Sequence, residues 1–98
     1  MNGASARRLD WNRRALDAYV SILVRIASED RRTAFLVEER IDRALASILA
    51  HPRIGTPGPR RGERIFAIPN TGHLIHYRIL ARSIRVTLWR RARQAIHQ

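Results

Sequence analysis

The segment His51-Pro52-Arg53-Ile54-Gly55-Thr56-Pro57-Gly58 divides the chain into two halves with different hydrophobic periods. Before it, apolar residues recur at helical spacing; after it, they alternate as in strands. Residues 51–63 hold three of the four prolines and three of the five glycines, so they read as a loop. Pro52 prevents any helix from crossing the division, because it lacks an N–H and disfavours helical geometry in the residue before it.

In the first half, Arg7 to Trp11 alternates, with Leu9 and Trp11 on one side and Arg8 and Asp10 on the other, which predicts a short opening strand. Asn12 is a natural N-cap. Leu16, Tyr19, Val20, Leu23 and Ile26 then predict a helix over about 13–27. Ser28-Glu29-Asp30 reads as a turn in which Ser28 or Asp30 caps a second helix over about 31–50. Its stripe is Ala34, Val37, Ile41, Ala44, Leu45 and Ile48. So short a connection predicts an antiparallel helix hairpin.

In the second half, Arg64–Ile68, Leu74–Leu80 and Ile84–Trp89 predict three strands joined by the turns Pro69-Asn70-Thr71-Gly72 and Ala81-Arg82-Ser83. Strands this close in sequence form an antiparallel meander, with 84–89 as a candidate edge. The tail from Arg90 to Gln98 is basic and compatible with a short helix. Period-2 alternation places Ile75, Tyr77 and Ile79, and Ile84, Val86 and Leu88, against the helices. The opposite face then carries Leu74, His76, Arg78, Arg85, Thr87 and Trp89. The expected fold class is α+β: one domain spanning 1–98, a helix hairpin packed on a small antiparallel sheet in the order β-α-α-β-β-β.

Charge narrows the partner classes. The formal net charge is +11, and all 19 basic residues are arginine, the side chain suited to bidentate contacts with carboxylate and phosphate. A polyanionic partner is expected: nucleic acid, an acidic protein or an anionic surface. With no cysteine, disulfides and thiolate zinc sites are excluded, which fits a reducing cytoplasm. No apolar run approaches the ~20 residues that span a bilayer. No metal or cofactor is expected, since the four histidines lack clustered ligands and His73 and His76 fall on opposite strand faces. The acidic residues lie mostly on the solvent side of the second helix, with no paired-carboxylate pattern. Nor is there an aromatic or helix-turn-helix signature of sequence-specific DNA binding. Metal-free phosphodiester cleavage would need a proton shuttle and cations, for which His76, Arg78, Arg85 and Arg90 are the candidates. A protein-binding module, docking a partner on a sheet edge or in the helix groove, is the reading with fewer requirements.

The residues also carry a family resemblance. Leu9-Asp10-Trp11 with Ala15-Leu16 and Ile26-Ala27 resembles the opening strand and first helix of the RelE/ParE toxin superfamily. Asp30 with Ala34-Phe35, the His51-Pro52-Arg53-Ile54-Gly55 loop, Arg64-Ile65 before Ile68-Pro69, and Tyr77-Arg78 are similar to later parts of its ParE branch. The likeness covers roughly 7–93. RelE-type ribonucleases carry an arginine three positions before the tyrosine, where this chain has Leu74. They also carry a catalytic Tyr or His in the tail, where this chain has Trp89-Arg90-Arg91-Ala92-Arg93 and, further on, only His97. Many members have a His where Trp89 stands.

The resemblance therefore implies a non-catalytic toxin of the plasmid-stabilising toxin–antitoxin type, inhibiting DNA gyrase by binding it. It implies neutralisation by a ParD-like antitoxin with an acidic or disordered C-terminal segment, through which any DNA contact would come. Expected target-facing residues are Arg78, Arg85, Trp89, Arg90, Arg91 and Arg93; expected antitoxin contacts are Leu16, Tyr19, Leu23, Phe35, Leu36 and Val37. The alternative is a RelE-like, ribosome-dependent mRNA interferase; a decayed toxin that keeps only antitoxin binding is a third reading.

Overall fold

The computed structural model describes residues 7–92. Its elements are strand β1 (Arg8–Trp11), helices α1 (Arg13–Glu29) and α2 (Arg31–Ala50), and strands β2 (Thr56–Pro57), β3 (Glu63–Ile68), β4 (His73–Ile79) and β5 (Ser83–Arg91). A single tight helical turn, Pro52–Ile54, lies between α2 and β2.

The helix boundaries follow from their caps. Asn12 is extended, and its side chain accepts the Ala15 N–H at 2.8 Å, starting α1. Asp30 both stops α1 and starts α2. Its N–H bonds to the Ile26 carbonyl at 2.8 Å, while its carboxylate accepts the N–H groups of Arg32 and Thr33 and the Thr33 hydroxyl. One residue thus makes the whole connection of the hairpin. The Thr33 hydrogen bonds hold the Asp30 carboxyl below its ordinary pKa.

The sheet has the order β1-β5-β4-β3-β2. β3, β4 and β5 form the expected antiparallel meander. The sheet is nevertheless mixed, because β1 joins it parallel to β5, with Leu9 opposite Ile84 and Trp11 opposite Val86. β5 is therefore an interior strand and not an edge. The edges are β1 and the two-residue β2, which pairs with β3 inside the segment read as loop. Arg90 and Arg91 extend β5 instead of opening a helix, and a C-terminal helix over 93–98 falls outside the described residues.

One irregularity decides which residues face where. Tyr77 pairs with Val86, but His76 pairs with Leu88, so Thr87 is an extra residue bulged out of β5. The bulge is clasped from three directions. Asn12 N–H donates to the Val86 carbonyl at 3.0 Å, Asn12 Nδ2 donates to the Thr87 carbonyl at 3.0 Å, and the Thr87 hydroxyl donates to the His76 carbonyl at 3.3 Å. Past it the alternation of β5 inverts. Ile84, Val86 and Trp89 face the helices, whereas Leu88, expected inside, pairs with His76 on the open face. Trp89, expected outside, is 3% exposed.

The core lies between the helices and this inner face. α1 supplies Ala15, α2 supplies Val37, Ile41, Ala44, Leu45 and Ile48, and the sheet supplies Ile68, Ile75, Tyr77, Ile84, Val86 and Trp89. Trp11, Tyr19 and Trp89 stack on one another with centroids 5.1–5.7 Å apart. α1 turns a different side inward than its stripe predicts. Ala15, Ala18 and Ile22 join Tyr19, Leu23 and Ile26 against the core, while Leu16 and Val20 stay exposed.

Tyr77 explains the His-Pro-x-x-Gly loop. Its buried hydroxyl donates to the Pro52 carbonyl and accepts the Gly55 N–H at 3.0 Å. A Cβ on Gly55 would come within 2.8 Å of both the Ile65 carbonyl oxygen and the Tyr77 hydroxyl, so only glycine fits. Arg64 Nε adds a bond to the Gly55 carbonyl at 2.9 Å. Tyr77→Phe leaves a buried N–H and a carbonyl without their partner, and should cost about 1–3 kcal/mol in urea unfolding. A cost near zero would show that the loop is held by something else.

Candidate functional site: an arginine-framed open sheet face

The helices cover one face of the sheet and leave the other open. β3 contributes Glu63, Ile65 and Ala67 to the open face, β4 contributes Leu74, His76 and Arg78, and β5 contributes Arg85, Leu88 and Arg90. β1 adds Asp10 beside Arg85. Ile65, Leu74 and Leu88 are half-buried, so a short apolar strip lies among the arginines.

At the centre is a chain of three side chains. Glu63 Oε2 lies 2.7 Å from His76 Nδ1, and Arg90 Nε lies 3.0 Å from His76 Nε2. A guanidinium can only donate. His76 therefore accepts at Nε2 and donates its Nδ1–H to Glu63, a neutral imidazole in a fixed tautomer. Both Glu63 and His76 are buried, at 9% and 5% exposure, and Arg90 is exposed. The pair thus acts as a buried pedestal that orients a solvent-facing guanidinium.

Glu63 Oε1 also accepts the Arg60 N–H at 3.2 Å. Burial pushes the Glu63 carboxyl up, but the His76 hydrogen bond, the Arg60 N–H and the charge of Arg60 outweigh it, and the group sits below its ordinary 4.5. The stability this provides is complete above the unfolded-state value and is lost as pH falls through the lower folded-state value. Glu63→Gln should therefore flatten the acid limb of a plot of urea midpoint against pH. An unchanged acid limb would rule out Glu63 as a contributor.

The other two arginines of this face are also anchored. Arg78 Nη2 donates to the Arg61 carbonyl at 3.0 Å. Arg85 reaches Asp10 Oδ2 through Nε and Nη2, each at 3.0 Å, in a half-exposed pair. The structure thus brings His76, Arg78, Arg85 and Arg90 together on one face. It removes Trp89 from that face, and it places Arg91 opposite His73 on the helix side. Arg93 falls outside the described residues.

Glu63 is the residue sequence reasoning missed. The signal was available: the four-residue turn sets Ile68 opposite His73, hence Ile65 opposite His76 and Glu63 opposite Arg78, all facing outward. Among the described residues no group of three His, Asp or Glu is placed to hold a metal ion.

A second surface runs along the helix hairpin. Leu16, Val20, Val24, Phe35 and Leu36 are 41–62% exposed. Between the helices Leu23, Val24, Ala27, Ala34 and Phe35 line a groove of about 340 Å³, with Arg31 and Glu38 at its rim. Of the expected antitoxin contacts, Leu16, Phe35 and Leu36 are exposed on this surface. Tyr19 and Leu23 are half-buried, and Val37 is 7% exposed, too enclosed in the core to meet a partner. No helix among the described residues is long and apolar enough to cross a membrane.

The fold is shared with solved toxins. The chromosomal ParDE system from P. aeruginosa superposes with a TM-score of 0.77 at 16% identity, over 91% of this chain and 99% of that one. The isolated E. coli RelE toxin gives 0.68 at 19% identity, over 92% and 88%. The E. coli RelBE toxin–antitoxin complex gives 0.67 at 19% identity, over 91% and 100%. At these identities the likeness establishes the fold. No curated protein matches the sequence. The sequence does match, over residues 9–95, the family described as the ParE toxin of the type II toxin–antitoxin system parDE. This chain belongs to the ParE toxin family of type II toxin–antitoxin systems.

Proposed function

We propose that this toxin acts in the cytoplasm by binding DNA gyrase, without chemistry of its own. We further propose that a ParD-like antitoxin neutralises it through a segment laid along the helix hairpin. The observation that carries the first part is the state of His76. A general base needs a free lone pair within hydrogen-bond reach of the proton it takes. His76 Nε2 is occupied by Arg90 and Nδ1 by Glu63, and the ring is buried. The exposed groups of the same face are guanidiniums around a short apolar strip, which suits docking onto an acidic protein surface. Arg78, Arg85 and Arg90 are assigned to that contact. For the antitoxin, the exposed apolar row Leu16, Val20, Val24, Phe35 and Leu36 is the surface offered to an amphipathic segment. An acidic segment would also offset the net charge of +11.

The test is a paired assay on the purified protein: gyrase supercoiling of relaxed plasmid, and mRNA integrity in a translating extract. Loss of supercoiling with intact mRNA is expected. Cleaved mRNA with normal supercoiling would overturn the proposal and return His76, Arg78, Arg85 and Arg90 to a catalytic role in a RelE-like interferase.

A further inference from the structure

The hydrogen-bonding of the sheet's inner face leaves one histidine unexplained. His73 opens β4 and is 5% exposed. Its Nδ1 is sealed from solvent and has no hydrogen-bond partner; among the described residues only Trp89 Nε1 shares that condition. The two rings are neighbours, with centroids 6.4 Å apart. A buried polar atom left unpaired costs about 1–3 kcal/mol, so such groups call for an explanation.

The imidazole lines a cavity of about 80 Å³, together with Ile22, Arg25 and Ile26 of α1 and Arg91 of β5. Two exposed arginines thus share this lining with a buried ring and two isoleucines. Among the described residues neither arginine has a carboxylate within 4.0 Å, and the ion pairs lie on the open face of the sheet. Burial and the charge of Arg91 hold the imidazole below its ordinary pKa of 6.5. The site is thus rich in donors and positive charge and has no acidic lining residue. A cation is repelled from it, and a neutral ligand would leave the guanidiniums without a counter-charge.

Size selects among anions. One water needs roughly 10–15 Å³ of such space, so the cavity holds a few waters or one small planar group. A phosphodiester, with a sugar on each side, is too bulky to enter. A carboxylate fits, and arginine binds it in a two-pronged fork. The isoleucine floor can take the methylene groups that carry it.

We propose that the cavity formed by His73, Arg25 and Arg91 is a carboxylate-binding site, which receives an aspartate or glutamate side chain from an acidic protein partner. This site lies on the helix side of the sheet and does not depend on how the toxin acts on its target.

The full-length protein is titrated with sodium acetate at constant ionic strength, with sodium chloride as the control, while the His73 ring resonances are followed by NMR. Acetate should shift them saturably, and chloride should not. Arg25→Gln and Arg91→Gln should each abolish saturation while circular dichroism remains that of the parent. Equal responses to acetate and chloride, or a response that both variants retain, would overturn the site. A second arm compares a glutamate-rich peptide with its glutamine counterpart. The glutamate peptide should compete with acetate at a concentration at least about tenfold lower, equivalent to about 1.4 kcal/mol. Competition by neither peptide would overturn the assignment to a partner side chain, and a single-stranded oligonucleotide that displaces acetate would overturn the choice of carboxylate.

Discussion

Trp89→Ala should destabilise the protein by about 3–5 kcal/mol, the usual cost of removing a large buried aromatic. Trp89 is 3% exposed and is the meeting point of the stack with Trp11 and Tyr19. Those two rings come from different elements, β1 and α1, so the indole holds the N-terminal strand and the first helix to the sheet at once. Truncation leaves a void that the two remaining rigid rings cannot collapse into. A small domain has only about 5–15 kcal/mol of stability in all, so much of the chain's margin would go. Urea unfolding reads the effect directly. Trp89→Phe keeps a ring in the slot and should cost clearly less. A loss below about 1 kcal/mol would mean that Trp89 faces solvent, and the inverted register of β5 would be wrong.

Arg90→Ala should weaken inhibition of supercoiling by about 30-fold or more, as expected for an arginine at the centre of a protein contact, where truncation costs at least ~2 kcal/mol. Arg90 is the guanidinium that the buried Glu63–His76 pair holds in place, so little side-chain freedom remains to be lost on docking. Folding stability should fall by only about 1 kcal/mol, the value of one ordinary hydrogen bond. The separation of the two readouts is the substance of the prediction. Potency within about threefold of the parent would remove Arg90 from the target contact.

The sequence pattern reaches some of this structure and stops at identifiable places. The helices are legible because Asn12, Asp30 and Pro52 punctuate them, and the meander because its turns are short. The bulge at Thr87 is not, because Asn12 holds it from 75 residues away and no local pattern encodes that contact. One missed residue moved Trp89 and Leu88 to the wrong faces. β2 was hidden for a simpler reason: two residues, one of them proline, at a sheet edge look like any loop. On α1, apolar residues occupy more than one side, and periodicity alone does not say which side meets the sheet. The open-face cluster was half legible. His76 and the arginines followed from alternation, whereas Glu63 needed the hairpin register to be carried through to β3.

The parallel pairing of β1 with β5 also sets an order of events during synthesis. Among the described residues β1 has no other neighbour in the sheet, and its partner is the last strand in chain order. The helix hairpin and the pairing of β3 with β4 rest on contacts close along the chain, so they can form while the ribosome is still working. β1 must wait, unpaired, until Ser83 to Val86 have emerged. Joining the first strand to the last closes a long loop, the kind of step that slows folding most. The Trp11–Tyr19–Trp89 stack and the full arginine face can therefore be assembled only once β5 has been made through Arg90. The N-terminal strand is therefore among the first pieces of the described fold to be synthesised and among the last to lock in.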